Sequence, residues 1–347
     1  MIELKTSRKV TVISLVAMMS VVAIHSHAIG TMENPERWLE VTQTLLFRAM
    51  TSWAVPFFFV VSGYFFARGT YCKRGGGYIP FIATKARTLL VPYLLWTIIG
   101  TAIAMPLYMG NNLIMHRGLL ERTFLANGFG WAAVDSFFGI TKNGPAGNLA
   151  LWYVRTLMVF FLLAPIWKLA ANVRWLPIAA GLILVIGCPM VFVPGLEIKA
   201  GSVGWLLLGI GIAETGWDER NMPGWVWMAA GGVYLAASIG AALGQEWLKP
   251  AIQISGVMFW WGLGEMLIKQ DKELPQLCRM TFWVYSMHGV ITGYFLSGTL
   301  FVLGKNSLGA MAASVLSIAG VLTICLTAGV LVKRRWPKIY GVLSGGR

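Results

Sequence analysis

Charge is scarce in this chain. Asp, Glu, Lys and Arg make up only 12% of its 347 residues, against roughly 25% in a typical soluble domain. That excludes an ordinary soluble enzyme. Cysteine is scarce as well: Cys72, Cys188, Cys278 and Cys325 lie far apart, with no CxxC pair and no metal-ligand spacing. Neither a disulfide framework nor a metal site is indicated. The sequence holds no GxGxxG, Walker loop or HExxH, so nucleotide-driven transport and zinc hydrolysis have no motif. It shows no fixed-period repeat and no low-complexity linker, and residues 1–347 read as a single domain.

What is present is apolar, 57% of the chain. Spans of about 17 to 25 apolar residues, with allowance for Gly and Pro, predict an all-α polytopic membrane protein, a single bundle of about ten transmembrane helices. They fall at 10–30, 46–67, 88–109, 149–167, 175–194, 201–214, 224–243, 250–268, 281–302 and 307–332, the sixth diluted by Gly201, Gly204, Gly209 and Gly211. The opening Lys5, Arg8 and Lys9 before an apolar run resemble a signal peptide, but no small-x-small cleavage site follows, so this run is retained as the first helix.

The formal net charge of +14 comes from basic residues in short loops between apolar runs. Nineteen Lys and Arg fall on one side of the expected membrane and eight on the other, which puts both termini in the cytoplasm. Their placement argues for membrane lipids as surroundings and against a nucleic-acid partner. The long loop 110–148, with His116 and Asp135, falls on the outer side and reads as a lid, an acceptor-binding segment or a decorated connector.

Polar residues inside these runs are the candidate chemistry, because a titratable group in hydrocarbon is costly unless it faces a cavity or a partner. His25 and His27 lie near the end of the first span. On a regular helix they point about 200° apart, so only one faces a given cavity. His25 is deeper and ranks first; His27 is assigned to the rim. In the second span Ser62-Gly63 follows Pro56; helix packing outweighs a nucleophilic Ser62, which has no base beside it in sequence. Lys85 and Arg87 suit a phosphate-bearing ligand at the inner mouth, and simple positive-inside anchoring explains them equally well. Arg155 lies about six residues into the fourth span and requires a carbonyl, acidic or ligand partner. His288, about seven residues into its span, reads as nearer the cytoplasmic side than His25, with a structural hydrogen bond as the rival to a role in the site. Glu265 either orients a His, pairs with Arg155 or Arg87, or is a solvated helix end.

Several stretches together resemble the acyltransferase-3 family of bacterial integral membrane acyltransferases. They are Val21 to Ser26, Pro56 to Phe66, Arg87 to Trp96, Leu151 to Pro165 and Tyr285 to Gly289, nearly the whole chain in order. The resemblance implies a multi-pass enzyme of the bacterial inner (cytoplasmic) membrane that acylates, commonly acetylates, sugars of cell-surface glycans or glycolipid precursors. It also implies acyl-CoA as co-substrate and no permanently bound cofactor. In that setting His25 is the expected general base, or alternatively an acyl-imidazole nucleophile. Arg155 would stabilise the oxyanion, and Arg87 with Lys85 would hold the CoA phosphates. The family places a basic residue eleven positions before this His, three turns below it on the same face. Here that position is Ser14. Lys9 lies about 160° around the helix from His25, so the missing charge is expected from another helix, from Arg155 first or from Arg87, unless the donor binds differently here or activity is lost. The rival from another class is a transporter or flippase for a lipid-linked sugar, with His25 and Arg155 lining its path.

Overall fold

A computed structural model describes residues 4–73, 75–114, 131–140, 144–193, 195–217, 223–267 and 276–346. In chain order the helices are α1 (Leu4–His25), α2 (Arg37–Gln43), α3 (Ala54–Arg68), α4 (Thr70–Lys73), α5 (Tyr78–Lys85), α6 (Val91–Ile114), α7 (Trp131–Phe138) and α8 (Trp152–Leu162). They continue as α9 (Ala164–Ala171), α10 (Leu176–Leu182), α11 (Ala200–Thr215), α12 (Gly224–Ala242), α13 (Lys249–Leu267), α14 (Thr281–Leu303), α15 (Ser307–Arg335) and α16 (Pro337–Leu343). A two-residue antiparallel ladder, β1 (Phe192–Val193) with β2 (Ile198–Lys199), precedes α11.

Among the described residues six helices are long and apolar enough to cross a membrane, or seven if one bent pair counts as a single span. The remaining expected spans differ for visible reasons. The run 149–167 breaks at Leu163, where α8 and α9 meet at 69°. Pro165, early in α9, has no N–H to continue the helix, and its ring clashes with the carbonyl four residues back. The fifth and sixth spans are the shorter apolar helices Leu176–Gly187 and Ala200–Thr215. α13 is 19 residues long, but Lys249, Gln253 and Glu265 and its paired Trp260 and Trp261 reduce its apolar character.

α1 stands at the centre, packed against α3, α13, α14 and α15. Its Ile13, Ala17, Met18 and Val22 are fully or almost fully buried. It ends earlier than the expected 10–30. The Ser26 hydroxyl donates to the Val22 carbonyl at 2.8 Å and the Ser26 N–H to Ala23 at 3.0 Å, tightening the last turn. His25 is therefore the final helical residue and His27 lies beyond the helix. The helical-wheel separation of the two histidines does not apply.

Lower on α1, Lys9 is buried, with its ammonium 3.5 Å from the Glu265 carboxylate and 4.1 Å from the Trp261 ring centroid. Glu265 thus partners Lys9 of the first helix. Removing the carboxylate costs about 3–5 kcal/mol, because the Lys9 charge is left buried; removing Lys9 costs less, because the Glu265 side chain is 31% exposed.

α3 and α11 meet backbone to backbone. A Cβ on Gly63 would sit 2.0 Å from the Leu206 carbonyl oxygen, and one on Gly209 2.0 Å from that of Val60. Small residues permit this approach where lipid supplies no hydrophobic drive between helices. The glycines that dilute the sixth span are its packing surface.

Candidate active site

Between the N-terminal half of α1 and helices α3, α5, α8 and α14 lies a cavity of about 650 Å³. Val10 and Ser14 of α1, Ser62 and Phe65 of α3, Lys85 of α5, Tyr153 of α8, and Phe282 and Tyr285 of α14 are in its wall. Gly69, Thr70, Gly76 and Gly77 line it where α3 turns into α5. Aromatic rings dominate the rest of the lining, with few polar groups, as in sites that bind organic ligands. Ser14, where the family resemblance calls for a cation, is thus a cavity residue. Lys85 lines it too, with its ammonium 4.3 Å from the Phe161 ring centroid and 5.4 Å from that of Phe81, whereas Arg155, expected to bring the charge, is not among the lining residues. Arg87, on the neighbouring π-helical turn Ala86–Leu90, is exposed and is not among the lining residues.

Ser62 is tied into the wall. The Tyr153 hydroxyl donates to the Phe58 carbonyl at 3.0 Å, so the 3.0 Å contact between Ser62 Oγ and Tyr153 Oη uses the serine proton. A phenol is no general base at neutral pH, and the pair serves to join α3 to α8.

Beyond this cavity His25 and His288 come together. Their ring centroids are 5.5 Å apart with planes tilted by 43°, and the Tyr285 ring lies 5.9 Å from that of His288. Residue counting places His288 nearer the inner side than His25. The two rings are neighbours, and Gln276–Arg279, just before α14, packs on α1. His25, the last residue of α1, is exposed. His25 also shares a face with Ser14, three turns and about 16 Å above it.

His288 is fully buried. Its Nδ1 is 3.2 Å from the Val284 carbonyl, which can only accept, so Nδ1 carries the proton. Nε2 is then a lone-pair acceptor, and among the described residues it has no hydrogen-bond partner.

The chain leaving His25 is clamped by residues that the sequence did not single out. Buried Gln43 accepts from Ile29 N at 2.9 Å through Oε1, while its amide donates to Ser314 Oγ at 3.1 Å and to the Ala310 carbonyl. Ser314 Oγ accepts from Ala28 N at 3.0 Å and donates to Ala310. A Gln at the foot of one apolar run and a Ser inside another are the only signals of this network. His27 is half-buried between His25 and this clamp.

Arg155 is buried, and its guanidinium donates to the carbonyls of Gly139 at 3.0 Å, Ile140 at 3.2 Å and Leu196 at 2.6 Å. No contact with His25 is among these bonds. Arg155 fastens the segment after α7 and the turn between β1 and β2 to the bundle. The Tyr93 hydroxyl adds a bond to the Phe138 carbonyl. In the loop 110–148, α7 and its buried Asp135 are seen docked in this way; His116 lies outside the described residues.

Residues 11–330 match the acyltransferase-3 family model, described as an acyltransferase domain, and the chain belongs to that family. With its apolar helices, this defines a multi-pass membrane acyltransferase. Over 325 residues the chain is 25% identical to the succinoglycan biosynthesis protein ExoH of Rhizobium meliloti (strain 1021), across 89% of this chain and 82% of that protein. No solved structure gives a significant match.

Proposed function

We propose that the protein moves an acyl group, acetyl in the simplest case, from cytoplasmic acyl-CoA to a hydroxyl of a cell-surface polysaccharide or its lipid-linked precursor. The name of the succinoglycan relative supports a polysaccharide acceptor. In this reading the chain sits in the bacterial inner membrane with both termini cytoplasmic. α8 with α9, the shorter α10 and α11, and α13 complete ten crossings.

The observation that carries the reading is the placement of His25, exposed at the end of α1 and on the helix face that also presents Ser14 to the 650 Å³ cavity. The cavity takes the donor, with Lys85 near the CoA phosphates and the acyl arm running up α1. His25 accepts the proton of the acceptor hydroxyl as its oxygen attacks the thioester carbonyl carbon. The tetrahedral intermediate expels the CoA thiolate, the C–S bond breaks, and the thiolate takes the proton from the His25 imidazolium. The products are the sugar ester and free CoA. Arg155, with its two terminal nitrogens bonded to carbonyls, serves this reading by fixing the outer segments rather than by meeting the oxyanion.

Purified protein in lipid, given radiolabelled acetyl-CoA and surface glycan stripped of esters by mild base, is expected to label the glycan. His25→Ala is expected to reduce the rate about 10²–10⁴-fold without loss of folded protein. Full transfer by His25→Ala would remove His25 from the mechanism. Movement of a lipid-linked sugar across the bilayer with no ester formed would make the protein a flippase.

A further inference from the structure

We infer that His288 is the positioning residue for His25: its Nε2 accepts the His25 N–H and so sets which His25 nitrogen faces the acceptor hydroxyl. This rests on the reading of His25 as general base.

Four observations carry it. His288 is held in one tautomer, because its Nδ1–H is committed to the Val284 carbonyl. That leaves Nε2 as a buried acceptor with no partner among the described residues. A buried acceptor without a donor is uncommon in folded proteins and calls for an explanation. The neighbouring ring is His25, 5.5 Å away between centroids, and it is exposed.

The turn of α14 that bears His288 is also unusually well secured. Asn148 donates to the Ser286 carbonyl at 2.8 Å, Tyr285 donates to the Ala150 carbonyl, and Thr292 donates to the His288 carbonyl at 2.7 Å. A supporting residue must itself be locked if it is to orient a reactive one.

The chemistry follows from the tautomer. A neutral His25 that donates one N–H to His288 presents its other nitrogen as a lone pair to the acceptor. When that nitrogen takes the proton, the bond to His288 becomes charge-assisted and strengthens as the transition state is approached. No net proton passes to His288.

Three variants separate this from plain packing. His288→Gln puts an amide acceptor near the Nε2 position, His288→Asn keeps an amide near Nδ1 but has nothing at Nε2, and His288→Leu has neither. The assay uses acetyl-CoA and de-esterified surface glycan, with thermal melting measured in parallel. We expect kcat to fall about ten- to a hundredfold in the Asn and Leu variants, with the KM for acetyl-CoA unchanged. The Gln variant should retain most of kcat. An Asn variant as fast as the wild type, or a Gln variant as slow as the Leu variant, overturns the assignment. Wild-type and His25→Ala protein run alongside keep the two ideas apart: failure of the base reading shows in those two, and failure of the positioning role only in the His288 series.

Discussion

His25 is exposed at the end of α1, and that exposure limits what its substitution can do to the fold. Among the described residues no hydrogen bond of the ring ties elements together, and a glutamine amide can still donate toward His288, so His25→Gln should melt within a degree or two of the wild type while losing transfer, read by thermal denaturation in lipid beside the glycan assay. Lys85 is the complementary case. With the ammonium removed, Lys85→Met should raise the KM for acetyl-CoA by about tenfold with little change in kcat. The wild-type KM should rise with salt more steeply than that of the variant. Much of this was legible in the sequence, because a histidine in hydrocarbon announces itself. Its partnership with His288 was not. Residues 263 positions apart meet through the relative heights of α1 and α14, which no count within one helix supplies. Arg155 was legible as a buried cation in need of carbonyl or acidic partners, but not as a fastener for the segments around Gly139 and Leu196.

Among the elements, the long helices α12, α14 and α15 lie within a few residues of their expected positions, because their apolar runs are continuous and their ends are marked by Gly, Asn or basic residues. α8 and α9 were read as one span although Pro165 stands in plain view; hydropathy measures composition and is indifferent to direction. The α3–α11 contact allows a sharp test. Gly63→Ala and Gly209→Ala should each cost about 1–3 kcal/mol or more through overpacking, seen as a lower melting temperature. Gly293→Ala, with nothing within 4 Å of the added carbon, should be neutral. The Gln43 clamp works at the same scale. Gln43→Leu strips the Ile29 N–H and Ser314 of a partner in a buried setting, at about 1–3 kcal/mol. By loosening the turn after His25 it should lower kcat even though no reacting group is touched.

At the scale of the whole molecule, α1 is the helix around which the others gather, and Lys9 with Glu265 secures its N-terminal part. Glu265→Gln should destabilise strongly and Lys9→Met less, whereas the double substitution should recover much of the loss, because it strands no charge. Melting temperatures of the three variants check this. The pair also has a consequence for biogenesis. The ribosome makes Lys9 long before Glu265, so the nascent first helix has a lysine with no acidic partner from α13. Such a helix is expected to stay shallow, its ammonium held in the headgroup layer by snorkelling, until α13 arrives to neutralise it. On that expectation α1 reaches its final depth late, and His25 its final position only when most of the chain has been translated.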